Sequence, residues 1–183
     1  FAPLASKIIL EVQSYRSLFV AMLLHDIAKG QKGDHSINGS LIASIVCPRL
    51  GLNKEETETV EWLVLNHLLM SKTAFRYELG DIKIINDFAE KIQSPERLRL
   101  LLVLTVADIK GVGPEIWNDW KGSLISELYL KTLKVLTTGK LQSNVLEIST
   151  YQLGANICEL LGNCHSVLDG ISKLRNVSTE FPG

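Results

Sequence analysis

Hydrophobic positions recur at intervals of three and four along most of the chain, the spacing of one face of a helix. Leu4, Ile8, Ile9 and Val12 form a first stripe, and residues 18–27 carry a second. Gly30-Gln-Lys-Gly33 ends that second helix, since glycine takes the positive φ of a helix exit without steric cost. Asp34 or Ser36 caps the next helix. Its inward face is expected to be Ile37, Leu41, Ile42, Ile45, Val46 and Leu50, with Pro48 distorting the last turn. Gly51 closes it, and Asn53 caps a helix whose apolar stripe is Val60, Leu63 and Val64, with His67 next in line. A polar loop is expected over 71–77, then a helix after Asp81 with Ile84, Ile85 and Phe88 inward. Ser94-Pro-Glu96 is a start signal with proline at the first helical position. The helix it opens is apolar nearly all round from Leu98 to Ile109, so it is expected to be buried on every side. Gly111 and Gly113-Pro114 punctuate the chain before an amphipathic helix over 115–136. With no convincing strand alternation, the fold class is all-α.

The pattern weakens after Gly139. Residues 1–138 therefore read as one helical domain, and 139–183 as a partly helical tail in which Leu153, Ile157, Leu160, Leu161 and Leu168 are the only periodic signal. Cys158, Cys164 and His165 in that tail are read as incidental. The length of 183 residues suits one domain with some to spare, on a prior of roughly 150 residues per domain.

Composition narrows the function classes. The net charge is −1, with 19 Lys and Arg against 20 Asp and Glu, which lacks the basic surplus of a dedicated nucleic-acid binder. Hydrophobic residues make up 46% and charged ones 21%, ordinary globular usage. Three cysteines without close pairing argue against a disulfide framework and for a reducing compartment. No apolar run approaches the ~20 residues of a membrane span. The expectation is a cytoplasmic protein with neither membrane nor nucleic acid as partner.

Polar residues stand at three places where the pattern asks for apolar ones, and these are where chemistry is expected. His25-Asp26 ends the run Leu18-Phe-Val-Ala-Met-Leu-Leu24. An imidazole and a carboxylate there are costly unless a metal or a charge satisfies them; the plainer alternative is a satisfied histidine beside an exposed aspartate. Asp108 lies on the helix that is apolar all round, where a carboxylate must be neutral, paired or ligating. A pair with Arg97 or Arg99 is the competing reading, although both precede Asp108 by more than two turns. His67 continues an apolar stripe, and His35 sits beside the capping residues. Three of the four histidines thus fall in this constellation. His and Asp suit divalent metals of the Mn, Fe, Mg or Zn range. A divalent ion so held lowers the pKa of water and neutralises phosphoryl oxygens, which points to phosphate-ester hydrolysis.

The order His25-Asp26 … Asp108 resembles the HD superfamily of metal-dependent phosphohydrolases. More closely, Leu24-His-Asp-Ile-Ala-Lys-Gly30 and Gly33-Asp-His-Ser36 are similar to the HD domain of the bifunctional uridylyltransferase/uridylyl-removing enzymes. The likeness continues through Trp62-Leu-Val-Leu-Asn-His-Leu-Leu-Met-Ser71, the stretch from Pro95 to Asp108, Gly113-Pro-Glu-Ile-Trp-Asn-Asp-Trp-Lys121 and Glu127-Leu-Tyr129. The resemblance implies an HD-domain helical bundle that hydrolyses the uridylyl–tyrosine phosphodiester of the PII signal-transduction protein. It implies dependence on a divalent metal, Mg or Mn, and glutamine as effector of the full-length enzyme. Carried over by position, His25, Asp26 and Asp108 are metal ligands. His35 and His67 are further catalytic histidines, either ligands of a second metal or donors to the phosphate. Lys29 is a point charge for the phosphate, or a cation at a helix C-terminus.

The superfamily's pattern begins with a histidine upstream of the His-Asp pair, and residues 1–24 contain none. Nor does the chain begin with Met. The expectation is a segment of a longer polypeptide whose first ligand lies before Phe1. The nucleotidyltransferase and ACT domains of those enzymes have no counterpart here. Two other readings stand beside the main one: an HD hydrolase of nucleotides or cyclic dinucleotides, and a non-catalytic helical interaction module.

Overall fold

The computed structural model describes residues 2–113 and 115–139, and no strand occurs among them. Its elements are α1 (Pro3–Ile8), a 3-10 turn (Ile9–Glu11), α2 (Tyr15–Leu24), α3 (His35–Arg49), α4 (Lys54–Asn66), α5 (Leu69–Arg76), α6 (Ile82–Ile92), α7 (Pro95–Val112) and α8 (Asp119–Thr138). The all-α expectation holds. The expected tail, with Cys158, Cys164 and His165, lies outside the described residues.

The central element is α7. Leu98 and every residue from Leu100 to Val106 are buried, and α1, α2, α4, α5, α6 and α8 all contact it. A helix apolar on all faces buries its whole circumference. Its start is fixed as the sequence indicates: Ser94 Oγ accepts from the Arg97 amide at 3.2 Å, with Pro95 in the first turn. The Glu96 carboxylate then accepts from the Gln13 amide at 2.8 Å, fastening the corner before α2 to the first turn of α7. That clamp anchors the start of α2, the helix whose far end carries His25 and Asp26.

The helix starts follow ordinary capping chemistry. Asp34, rather than Ser36, caps α3, accepting from the Ser36 amide at 2.8 Å. Asn53 and Glu56 form a reciprocal capping box on α4. Gly51, at φ 78°, closes α3, while the buried Leu52 donates its amide to Cys47 O at 3.1 Å.

Four expectations need correction. Helix α2 stops at Leu24, and residues 25–30 are successive turns, so the His-Asp pair sits just past the helix rather than inside it. The inward face of α3 is Ser36, Gly39, Ala43 and Cys47, whereas Ile37, Leu41, Ile45 and Leu50 are exposed. Residues 71–77 are mostly helical as part of α5, which buries Met70, Thr73 and Ala74 and stacks Phe75 on Trp120 at 6.2 Å. Finally, α7 runs through Gly111 to Val112, and the last helix starts at Asp119 with Asn118 as its cap.

Candidate metal centre

Four helices deliver the polar residues to one place. His25 is the C-cap of α2, and Asp26 and Lys29 lie in the turns beyond it. His35 opens α3, His67 is the C-cap of α4, and Asp108 lies near the end of α7. All six residues singled out from the sequence therefore meet in one cluster.

Asp26 is at its centre. Its Oδ1 is 3.9 Å from His35 Nε2 and 3.9 Å from His67 Nε2. Its Oδ2 is 3.8 Å from His25 Nε2 and 2.7 Å from Lys29 Nζ. His25 Nε2 is also 3.3 Å from Asp108 Oδ1. The His25 and His67 rings, and the His35 and His67 rings, meet edge to face with centroids 5.4 Å apart. Two sets of donor atoms result, each within 4.8 Å: His25, Asp26 and Asp108, and Asp26, His35 and His67. The arginines that competed for Asp108 are engaged elsewhere. Arg97 lies over the Trp62 ring at 4.9 Å, and Arg99 pairs with Glu96 and Glu11.

The backbone fixes which nitrogen each ring presents. His25 Nδ1 is 2.8 Å from Met22 O, and His67 Nδ1 is 2.7 Å from Val64 O. A carbonyl only accepts, so Nδ1 carries a proton in both rings and Nε2 faces the cluster, offering a lone pair whenever the ring is neutral. In both cases the carbonyl lies three residues back at a helix end, where carbonyls lack helical partners.

The electrostatics differ across the cluster. Burial lowers the His67 pKa, with the Val64 hydrogen bond opposing and the charge of His25 assisting, which favours a neutral ring. The Asp108 hydrogen bond raises the His25 pKa against the pull of burial. For Asp26, burial pushes the pKa up, but the Lys29 hydrogen bond and the charges of His25 and Lys29 bring it below its ordinary value.

A divalent cation fits these residues. His67 Nε2 is a buried polar atom without a hydrogen-bond partner, and such atoms are rare unless something outside the chain satisfies them. It faces carboxylate oxygen at a distance too long for a hydrogen bond. Among the described residues both candidate donor sets are nitrogen and oxygen only, without a thiolate.

A profile of the HD domain matches residues 4–109. This chain belongs to the HD domain family. The curated relatives it resembles include bifunctional uridylyltransferase/uridylyl-removing enzymes. That of Azospirillum brasilense is 60% identical over 137 residues, 75% of this chain and 15% of the relative. That of Novosphingobium aromaticivorans is 55% identical over 140 residues, 76% of this chain and 15% of the relative. That of Rhodospirillum rubrum is 57% identical over 137 residues, again 75% and 15%. This chain thus spans about 15% of the length of these relatives. No solved structure matches it.

The HD domain also places apolar residues against the cluster that the sequence did not single out. A depression of about 390 Å³ has His25, Asp26 and Asp108 on one side and Met22, Leu104, Ala107, Gly111 and Val112 around the rest. Positions 104, 108 and 111 share a helix face by their spacing of four and three. That spacing was the available signal.

Proposed function

We infer that this domain is a phosphodiesterase that removes UMP from a uridylylated tyrosine of the PII signal protein, as part of a larger bifunctional enzyme. The observation that carries the reading is the convergence of three imidazole Nε2 atoms on one aspartate, Asp26, with a second carboxylate, Asp108, beside it. Its placement in a stretch of 137 residues 60% identical to a bifunctional uridylyltransferase/uridylyl-removing enzyme supports the choice of substrate.

His25, Asp26 and Asp108 would hold one divalent ion, and Asp26, His35 and His67 a second. Bound there, the ions would supply a lowered water pKa and positive charge against the phosphoryl oxygens. We take the metal to be Mn or Mg; imidazole nitrogens favour Mn, because Mg prefers an all-oxygen octahedron. The residues themselves orient and charge the site. The Met22 and Val64 carbonyls aim the two rings, and burial keeps His67 neutral and available as a donor. Lys29, whose pKa is raised by its hydrogen bond to Asp26, stays cationic beside the scissile phosphate. In hydrolysis the water oxygen bonds to phosphorus, the bond from phosphorus to the tyrosyl oxygen breaks, and that oxygen regains a proton. The reaction belongs to the cytoplasm, where glutamine would act on the full-length enzyme as effector. The described helices include none long and apolar enough to cross a membrane.

The test is release of UMP from uridylylated PII by the chain in Mn or Mg. Nucleotide monoesters and cyclic dinucleotides are assayed beside it. UMP release that chelation stops is the expected result. Faster turnover of a nucleotide or cyclic dinucleotide would replace the substrate assignment. PII binding without metal binding or hydrolysis would favour an interaction module.

A further inference from the structure

Gly111 is in an unusual position for a glycine. It is the exposed next-to-last residue of α7, and it does not adopt the left-handed backbone that only glycine tolerates well. A Cβ built there meets no atom within 4 Å, so close packing does not demand glycine either. Glycine is also the weakest helix former after proline. Neither backbone conformation nor packing requires glycine there.

What Gly111 does is leave a gap. It is one turn beyond Asp108 on the same face, where a larger side chain would project across the depression beside the cluster. The walls of that gap are apolar: Met22, Leu104, Ala107 and the exposed Val112. Its polar side chains are His25, Asp26 and Asp108, all members of the candidate metal centre. A nucleobase needs donors and acceptors along its edge for recognition, and this wall offers few. A phenyl ring needs apolar surface, and a thioether such as Met22 favours an aromatic neighbour.

We propose that the depression under Gly111 is a subsite for the aryl group esterified to the phosphate, and that Gly111 determines specificity by keeping it open. The proposal rests on the phosphodiesterase reading and adds which side of the ester lies against α7. An aryl ring seated there places its ester oxygen toward His25, Asp26 and Asp108. The nucleoside then extends away from α7.

Binding tests this without requiring turnover. The 183-residue chain, loaded with Mn, is titrated calorimetrically with phenyl phosphate and with methyl phosphate. Phenyl phosphate is expected to bind about tenfold more tightly, in line with burial of a ring's apolar surface. Gly111→Leu is expected to reduce that preference to within about twofold, with Mn affinity unchanged, and Gly111→Ala to fall between. Melting temperatures establish that both variants fold; should Gly111→Leu fail to fold, Gly111→Ala decides by whether it lowers the preference. Equal binding of the two phosphates by the parent chain would overturn the subsite. So would a preference that the Gly111 variants leave intact. The underlying reading fails separately: a phenyl preference without UMP release from the tyrosyl ester keeps the subsite and removes the activity. UMP release without the preference does the reverse.

Discussion

The two halves of the cluster share Asp26 but not their surroundings. On one side His67 is 1% exposed, held neutral by burial, with Nε2 unpartnered. On the other, His25 and Asp108 are 19% and 26% exposed and already lie 3.3 Å apart. The buried half thus leaves a nitrogen lone pair unmatched, while the open half partly satisfies itself with an ion pair. A cation entering the open half must displace that pairing, whereas one entering the buried half meets a ring nitrogen with no protein partner. The buried half should bind its ion more tightly, and the open half, beside the depression, should exchange ions and meet substrate.

Removing the shared group is the most severe way to break the comparison. Asp26→Asn weakens a donor common to both halves and leaves Lys29 without its carboxylate. Loss of groups that only support ligands costs 10- to 100-fold in affinity or activity. Asp26→Asn is therefore expected to cost more than about a hundredfold in UMP release and to abolish measurable Mn binding by calorimetry. Retained binding of even one ion would show that Asp26 is not shared.

Breaking one half at a time separates them. His67→Gln is expected to remove the tighter Mn event and keep the weaker one; Asp108→Asn should do the opposite. Each should lower hydrolysis by at least about 10-fold, the lower end of the cost of losing a group that merely supports a ligand. Identical isotherms for the two variants would mean that a single ion uses the whole cluster.

These positions also show what the sequence could disclose. Asp108 was legible because a carboxylate two residues beyond the buried run Leu100 to Val106 breaks the apolar pattern, although it is itself 26% exposed. The burial of α7 was legible for the same reason, since no face of it is polar. The orientation of α3 was not. Its sequence carries two stripes, Ile37, Leu41 and Ile45, and Ser36, Gly39, Ala43 and Cys47, and periodicity alone favours the larger side chains. The small stripe is buried because it lets α3 approach α4 closely: a Cβ on Gly39 would stand 3.0 Å from Val64 Cγ1. Close backbone approach outweighed the size of each buried side chain. Because α3 and α4 carry His35 and His67, the sharing of Asp26 between two donor sets followed from that packing and could not be read from spacing. Likewise, Ser71 and Lys72 gave α5 the look of a loop, although Met70, Thr73 and Ala74 supply a buried face.

Proton competition gives a gentler contrast between the halves. In the metal-free protein, Asp108 raises the pKa of His25 above its ordinary 6.5. The stability this contributes is complete below about 6.5 and is lost as pH rises through the folded value. Burial lowers His67 below the same 6.5. Its contribution is present above 6.5 and is lost as pH falls through its folded value. The two windows lie on opposite sides, so melting temperature in chelator should peak near neutral-acid pH. Asp108→Asn should flatten the alkaline limb and His67→Gln the acid limb, each by a few degrees. Thermal melts from pH 5 to 8 check this; limbs that do not respond separately would show that the histidines titrate as one unit.

The smallest effect is expected at Lys29, which belongs to neither half. Its side chain is 73% exposed and reaches Asp26 Oδ2 at 2.7 Å. A charge at an exposed rim acts mainly on encounter and is screened by salt. Lys29→Ala is therefore expected to raise KM for the uridylylated protein about three- to tenfold at low ionic strength, with kcat within about twofold. The gap should close toward 1 M salt, where the Debye length falls to ~3 Å. A lysine that merely completes the turn after α2 would leave KM and its salt dependence unchanged. One that holds Asp26 in place for the metal would instead lower Mn affinity, so KM, salt and calorimetry together distinguish the three roles.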